Sequence, residues 1–140
     1  MAYISTALRQ QIAERARHRC EYCLSLELIT GGPMHIEHIM PESQGGLSEL
    51  YNLAYACARC NLHKATRTHF TDPVSKRRVP LFNPRQQKWT RHFEWSADGT
   101  RVIGRTRSGR ATVVALQMNH PTIVMTRSVW VSFGGHPPVD

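Results

Sequence analysis

MHIEHIMPESQGGLSELYNLAYACARCNLHK, residues 34–64, is the stretch that decides the fold. His35 to Ile39 reads as a short strand, and Pro41 stops it because proline cannot donate to a sheet ladder. A polar loop through Gly45-Gly46 follows, and Leu50 to Ala56 is a second apolar segment suited to pairing antiparallel with the first. From Ala58 the run ARCNLHKATR has the composition of a short helix opening directly after Cys57. The order is strand, loop, strand, helix.

This unit is framed by cysteines. Cys20 and Cys23 form one CxxC pair, and Cys57 and Cys60 form another. Two such pairs complete a tetrahedral sulfur shell around one ion, so structural Zn2+ is expected. Disulfides are the competing reading. The opening MAYISTALRQ has no basic-then-apolar leader pattern, so a cytoplasmic protein with reduced thiols is expected. A thioredoxin-like redox pair has no use for a second matched CxxC. The separation between the pairs exceeds that of an ordinary zinc ribbon, so a functional insertion lies between the knuckles.

Outward from this core, Ser5 or Thr6 can cap a helix running to about His18, with Leu8, Ile12 and Ala16 on one face. Beyond Asp72-Pro73 the basic, proline-punctuated SKRRVPLFNPRQQKW reads as an extended connector. HFEWSADGTRVIG reads as a hairpin turning at Asp98-Gly99, with Phe93 and Trp95 on one face. Arg110 to Met118 has helical spacing, while Thr122 to Phe133 fits a helix or a strand. Phe93, Trp95 and Trp130 are expected as core anchors in preference to base-stacking platforms. Residues 1–70 and 71–140 are expected as a zinc-containing module and a basic extension.

The net charge is +8. It is uneven: residues 1–65 carry six basic and six acidic groups, whereas residues 66–140 carry twelve basic and four acidic ones. Such an excess favours polyanions, because basic side chains displace counterions condensed on phosphates. Lys76, Arg77, Arg78, Arg85, Lys88 and Arg91 are the candidates for gripping a nucleic-acid backbone. No apolar run approaches the roughly 20 residues of a membrane span.

Inside the zinc loop, His38 has the residue type of a general base, with an unperturbed pKa of about 6.5. Glu37 and an amide oxygen such as that of Asn61 are hard donors suited to Mg2+ or Mn2+, and an asparagine carbonyl can hold the other imidazole nitrogen in the productive tautomer. Cys20-x2-Cys23, Glu37-His38-Ile39-x-Pro41, Gly45-Gly46, Asn52-Leu53 and Cys57-x2-Cys60-Asn61-x2-Lys64, in that order, resemble the HNH endonuclease family.

The resemblance implies an α+β fold: a ββα-metal (His-Me finger) core with a zinc knuckle, plus a small basic α+β extension. It implies His38 as the base that activates water, Asn52 as the residue orienting it, and Glu37 and Asn61 as ligands of one catalytic divalent ion. Lys64, one helical turn after Asn61, is placed to meet a phosphate oxygen. The implied reaction is phosphodiester hydrolysis leaving 5′ phosphate and 3′ hydroxyl ends, on DNA in preference to RNA. Strand alternation puts His35 and Glu37 on one face and His38 on the other, so both serve one site only if the strand ends there. Otherwise His35 with Glu37 is the alternative ligand pair. A non-catalytic zinc module that binds nucleic acid or a protein is the competing function, and it leaves Glu37, His38, Asn52 and Asn61 without a purpose.

Overall fold

A computed structural model describes residues 3–139. Helix α1 (Thr6–Arg15) opens where the Ser5 hydroxyl accepts the Leu8 N–H at 3.1 Å, the side-chain cap that satisfies one orphan donor of the first turn. It ends short of the expected His18 because Arg17 and His18 both adopt positive φ, which breaks the helical ladder. Ile12, on its inner face, is fully buried.

The chain then makes the first knuckle, closed by a bridge between Arg19 and Leu26, and a single turn α2 (Glu27–Thr30). Strands β1 (His35–His38) and β2 (Leu53–Ala56) pair antiparallel, with His35 opposite Ala56 and His38 opposite Leu53. All four β2 residues are buried, hence its continuous apolar reading. Leu50 to Asn52 differ from the expected strand. They form a 3-10 turn, and the Asn52 N–H bonds back to the Glu49 carbonyl at 2.8 Å. Helix α3 (Ala58–Lys64) starts at Cys57, whose sulfur accepts the Cys60 N–H.

The second half is more regular than its composition predicts. The expected connector supplies a strand, β4 (Arg78–Pro80), which pairs with β3 (His69–Thr71) just ahead of it to make a hairpin. It is pinned from inside: the fully buried Asp72 carboxylate accepts the Val74 and Ser75 N–H groups and takes both guanidinium arms of Arg110 at 2.9 Å. A connector reading misses this because the partner lies 38 residues away. After the turn α4 (Trp89–His92), the expected hairpin forms as β5 (Phe93–Trp95) with β6 (Val102–Gly104). Helix α5 (Arg107–Ala115) begins and ends about three residues before the stretch expected. The ambiguous last segment is a helix, α6 (Pro121–Ser132), opened by His120 and a proline at its first position. Gly109 of α5 is needed for close approach, since a Cβ there would sit 2.0 Å from the His92 carbonyl oxygen.

One buried apolar cluster joins both halves, running from Ile12, Tyr22 and Leu53 through Phe82 and Phe93 to Leu116 and Met118. Phe82 meets Phe93 edge-on at 5.1 Å, and Trp89 donates its indole N–H to the Tyr22 carbonyl at 2.8 Å. The zinc-loop segment therefore rests on the C-terminal segment. Among the described residues, no helix is long and apolar enough to cross a membrane.

Candidate metal centre and active site

The two knuckles bring Cys20, Cys23, Cys57 and Cys60 together, with all four sulfurs within 4.8 Å of one another. Tetrahedral coordination at a Zn–S bond of about 2.3 Å requires sulfur separations of about 3.8 Å. Cys23 and Cys57 stand at 3.7 Å, and all four thiols are free, so the cluster fits a zinc knuckle. Burial pushes the Cys20 thiol up, whereas hydrogen bonds from Cys20, Cys57 and Cys60 hold Cys23 down. Buried sulfurs this close ionise together only around a cation.

Helix α6 contributes to this centre. Arg127 is fully buried, and its guanidinium bonds the Thr100 carbonyl at 2.9 Å while its Nε lacks a hydrogen-bond partner among the described residues. Among the described residues, no carboxylate pairs with it. It lines the same cavity, of about 240 Å³, as Cys23, Cys57 and Cys60. Four thiolates around a divalent ion carry two negative charges, so this guanidinium is their nearest large counter-charge on α6.

Between β1 and α3, Glu37 points inward and is 4% exposed. Its Oε1 accepts Lys64 Nζ at 2.5 Å, and its Oε2 accepts the Tyr22 hydroxyl at 2.7 Å. Lys64 Nζ also donates to the Ile39 carbonyl at 3.0 Å. Burial pushes the Glu37 carboxyl above its ordinary value, against the opposing pull of Lys64 and Tyr22. Asn61 lies one turn before Lys64 on α3, half-buried. The donors here, a carboxylate and an amide oxygen, are those a hard divalent ion takes. The carboxylate already carries a cation, the Lys64 ammonium, which such an ion must displace.

His38 is the last residue of β1 and faces away from Glu37, into the loop that follows. Its side chain is 15% exposed, its Nε2 lies 2.9 Å from the Ser48 hydroxyl, and the Glu42 carboxylate stands 3.8 Å off. Because the strand ends here, Glu37 and His38 flank one strand terminus from two sides. His35 is half-buried at the opposite end of the strand.

Asn52 is placed differently from a residue that touches His38. Its amide accepts the Met40 N–H at 2.8 Å and donates to the Met40 and Leu47 carbonyls at 3.0 and 2.9 Å. It thus ties both ends of the Met40–Leu47 loop, and its hold on His38 runs through that loop and Ser48. Gly46 permits the closure: a Cβ there would sit 1.7 Å from the Met40 carbonyl oxygen.

Of the basic residues expected to grip a backbone, Lys76, Arg77, Arg78, Lys88 and Arg91 are exposed. Arg85 is not free to do so. Its guanidinium is half-buried against the Glu21 carboxylate, clamping the second half onto the first knuckle. Three participants escaped the sequence reading. Tyr22 sits inside the first CxxC, where an aromatic reads as core; Ser48 is one polar residue in a polar loop; Arg127 is one cation in a basic half.

In comparisons with known proteins, the family model described as HNH endonuclease matches residues 20–67, about a third of the chain. No curated protein and no solved structure matches.

Proposed function

With residues 20–67 an HNH endonuclease domain, we propose that the protein hydrolyses phosphodiester bonds of nucleic acid, DNA in preference to RNA. The observation that carries this is the placing of Glu37 and His38 on two sides of the β1 terminus, with Lys64 and Asn61 on the helix packed beside it. His38 is the base. In the tautomer whose Nε2–H donates to the Ser48 hydroxyl, 2.9 Å away, Nδ1 keeps a lone pair for the proton of the attacking water. As the new oxygen–phosphorus bond forms, the bond from phosphorus to the 3′ oxygen breaks, leaving 5′ phosphate and 3′ hydroxyl ends. Glu37 and Asn61 would hold one hard divalent ion, Mg2+ or Mn2+, which supplies positive charge to the phosphate and the leaving oxygen. Lys64, released from Glu37 in that state, is left to meet a phosphate oxygen. Zinc in the four-cysteine site fixes the β2–α3 corner and takes no part in the chemistry.

Nicking of a supercoiled plasmid by zinc-loaded protein with added Mg2+ or Mn2+ tests this. The wild type cuts, and His38→Ala cuts at least about a hundredfold more slowly, the usual worth of a positioned base. Equal inactivity of both across metals removes the proposal.

The occupied state of Glu37 favours a second reading, a zinc module that binds nucleic acid without cutting it. Titration with Mn2+ separates the two. A second bound ion lost in Glu37→Gln supports the nuclease, and its absence supports the binding module.

A further inference from the structure

Helix α3 carries a second chemical face. At 100° per residue, Arg59 and His63 share one side of the helix, about 160° round from Asn61 at His63. Arg67, in the turn that follows α3, donates to the His63 carbonyl at 2.5 Å. The start of α6 completes the group. Arg59 Nη2 and the His120 N–H both donate to the Gln117 carbonyl, at 3.3 and 3.2 Å, so those two residues meet at one oxygen. His120 Nδ1 accepts the Thr122 N–H, which leaves Nε2 as its outward donor.

Four basic side chains therefore gather around the end of α3 and the start of α6, with no carboxylate among their partners in the described residues. Two other inward-facing arginines are neutralised, Arg85 by Glu21 and Arg110 by Asp72, while Arg127 lines the cavity beside the cysteines. Arg59 and His63 are half-buried, Arg67 and His120 exposed. Arg59, His120 and Arg67 all lie close enough to His63 to repel a positive charge on it. Leu62, 71% exposed, forms the ridge between this side of α3 and the side bearing Asn61.

We infer that Arg59, His63, Arg67 and His120 form a backbone-phosphate site for a nucleic-acid duplex lying across α3, over the Leu62 ridge from the cleavage residues. The site holds the duplex in register while the scissile phosphate sits on the Asn61 side, a positioning contact of the kind that carries no base sequence. It rests on the nuclease reading only for the identity of the polyanion.

The test is fluorescence-anisotropy binding of a labelled 20-base-pair duplex across a range of KCl concentrations. Zinc-loaded protein carrying His38→Ala serves as the parent, so that no cutting intervenes. Each phosphate contact removed lowers the slope of log affinity against log salt by about 0.9. Arg67→Gln should lower it by about one contact, and Arg59→Gln with Arg67→Gln by about two, with affinity falling several-fold at each step. His63→Gln should weaken binding without a comparable change in slope. Because Arg59 lies between two zinc ligands, Arg67→Gln alone is decisive if the double variant loses zinc. An unchanged slope in Arg67→Gln, or a parent that fails to bind the duplex, overturns the site. Salt-dependent binding through this face by a protein that never cuts DNA keeps the site and removes the hydrolysis.

Discussion

Glu37 and Lys64 meet inside the protein at 2.5 Å, with their side chains only 4% and 2% exposed. A carboxylate and an ammonium withdrawn this far from water depend on each other, since either left alone is an uncompensated buried charge. Their contact joins β1 to α3, the two elements that carry His38 and Asn61.

Removing one partner is therefore costlier than removing both. Lys64→Ala should destabilise the fold by about 3–5 kcal/mol in urea titration, whereas Glu37→Gln with Lys64→Met should recover much of that loss. A single Lys64→Ala within about 0.5 kcal/mol of wild type would contradict the buried pair.

Legibility of this chain followed sequence distance. The β1–β2–α3 unit and the four cysteines were readable because the proline after β1, the apolar run of β2 and the CxxC spacing are local signals. The hairpin at β3–β4 was not, because its anchor is the distant ion pair between Asp72 and Arg110. The roles around His38 were half legible. His38 itself stands out, but Ser48 reaches it only because Asn52 and Gly46 fold the intervening loop back. Arg127 could not be singled out, since nothing near it in sequence shows that α6 lies against the knuckle.

Acid should loosen the C-terminal segment. His136 is buried between Trp95 and Trp130, both ring nitrogens lack partners among the described residues, and burial with the nearby Arg127 charge lowers its pKa to about 4. A histidine depressed in the folded state stabilises fully above its unfolded value of about 6.5, and that contribution fades as pH falls toward the folded value. Wild type should lose on the order of 2–3 kcal/mol from this group between pH 7 and 4. His136→Phe, which keeps the aromatic packing, should flatten that part of the curve. Equal pH profiles for the two proteins would count against the assignment.

Zinc removal should unfold more than the knuckles, because Arg127 then remains buried with no opposite charge. Chelation should abolish the near-ultraviolet dichroism of the tryptophans in the C-terminal half as well as α1–β2 structure. Arg127→Met, which removes the charge and keeps the bulk, should lower zinc affinity at least several-fold in chelator competition. Zinc affinity equal to wild type in that variant would show that the guanidinium does not serve the metal.

The exposed Lys76, Arg77 and Arg78 of the β3–β4 hairpin offer a second grip on the backbone. Replacing all three by Ala should weaken duplex binding and shrink its salt dependence by up to about 2.7 in slope, with urea stability within about 0.5 kcal/mol of wild type. Salt dependence identical before and after would place the duplex elsewhere.

The chemistry itself is tested most directly by single-turnover cutting of a labelled duplex at saturating protein, zinc-loaded, in Mg2+ or Mn2+. The account predicts cleavage to 5′-phosphate products by the wild type, a loss of at least about a hundredfold in His38→Ala, and unimpaired duplex binding by that variant. Cleavage at the same rate by both proteins, or by neither in any divalent ion, contradicts it.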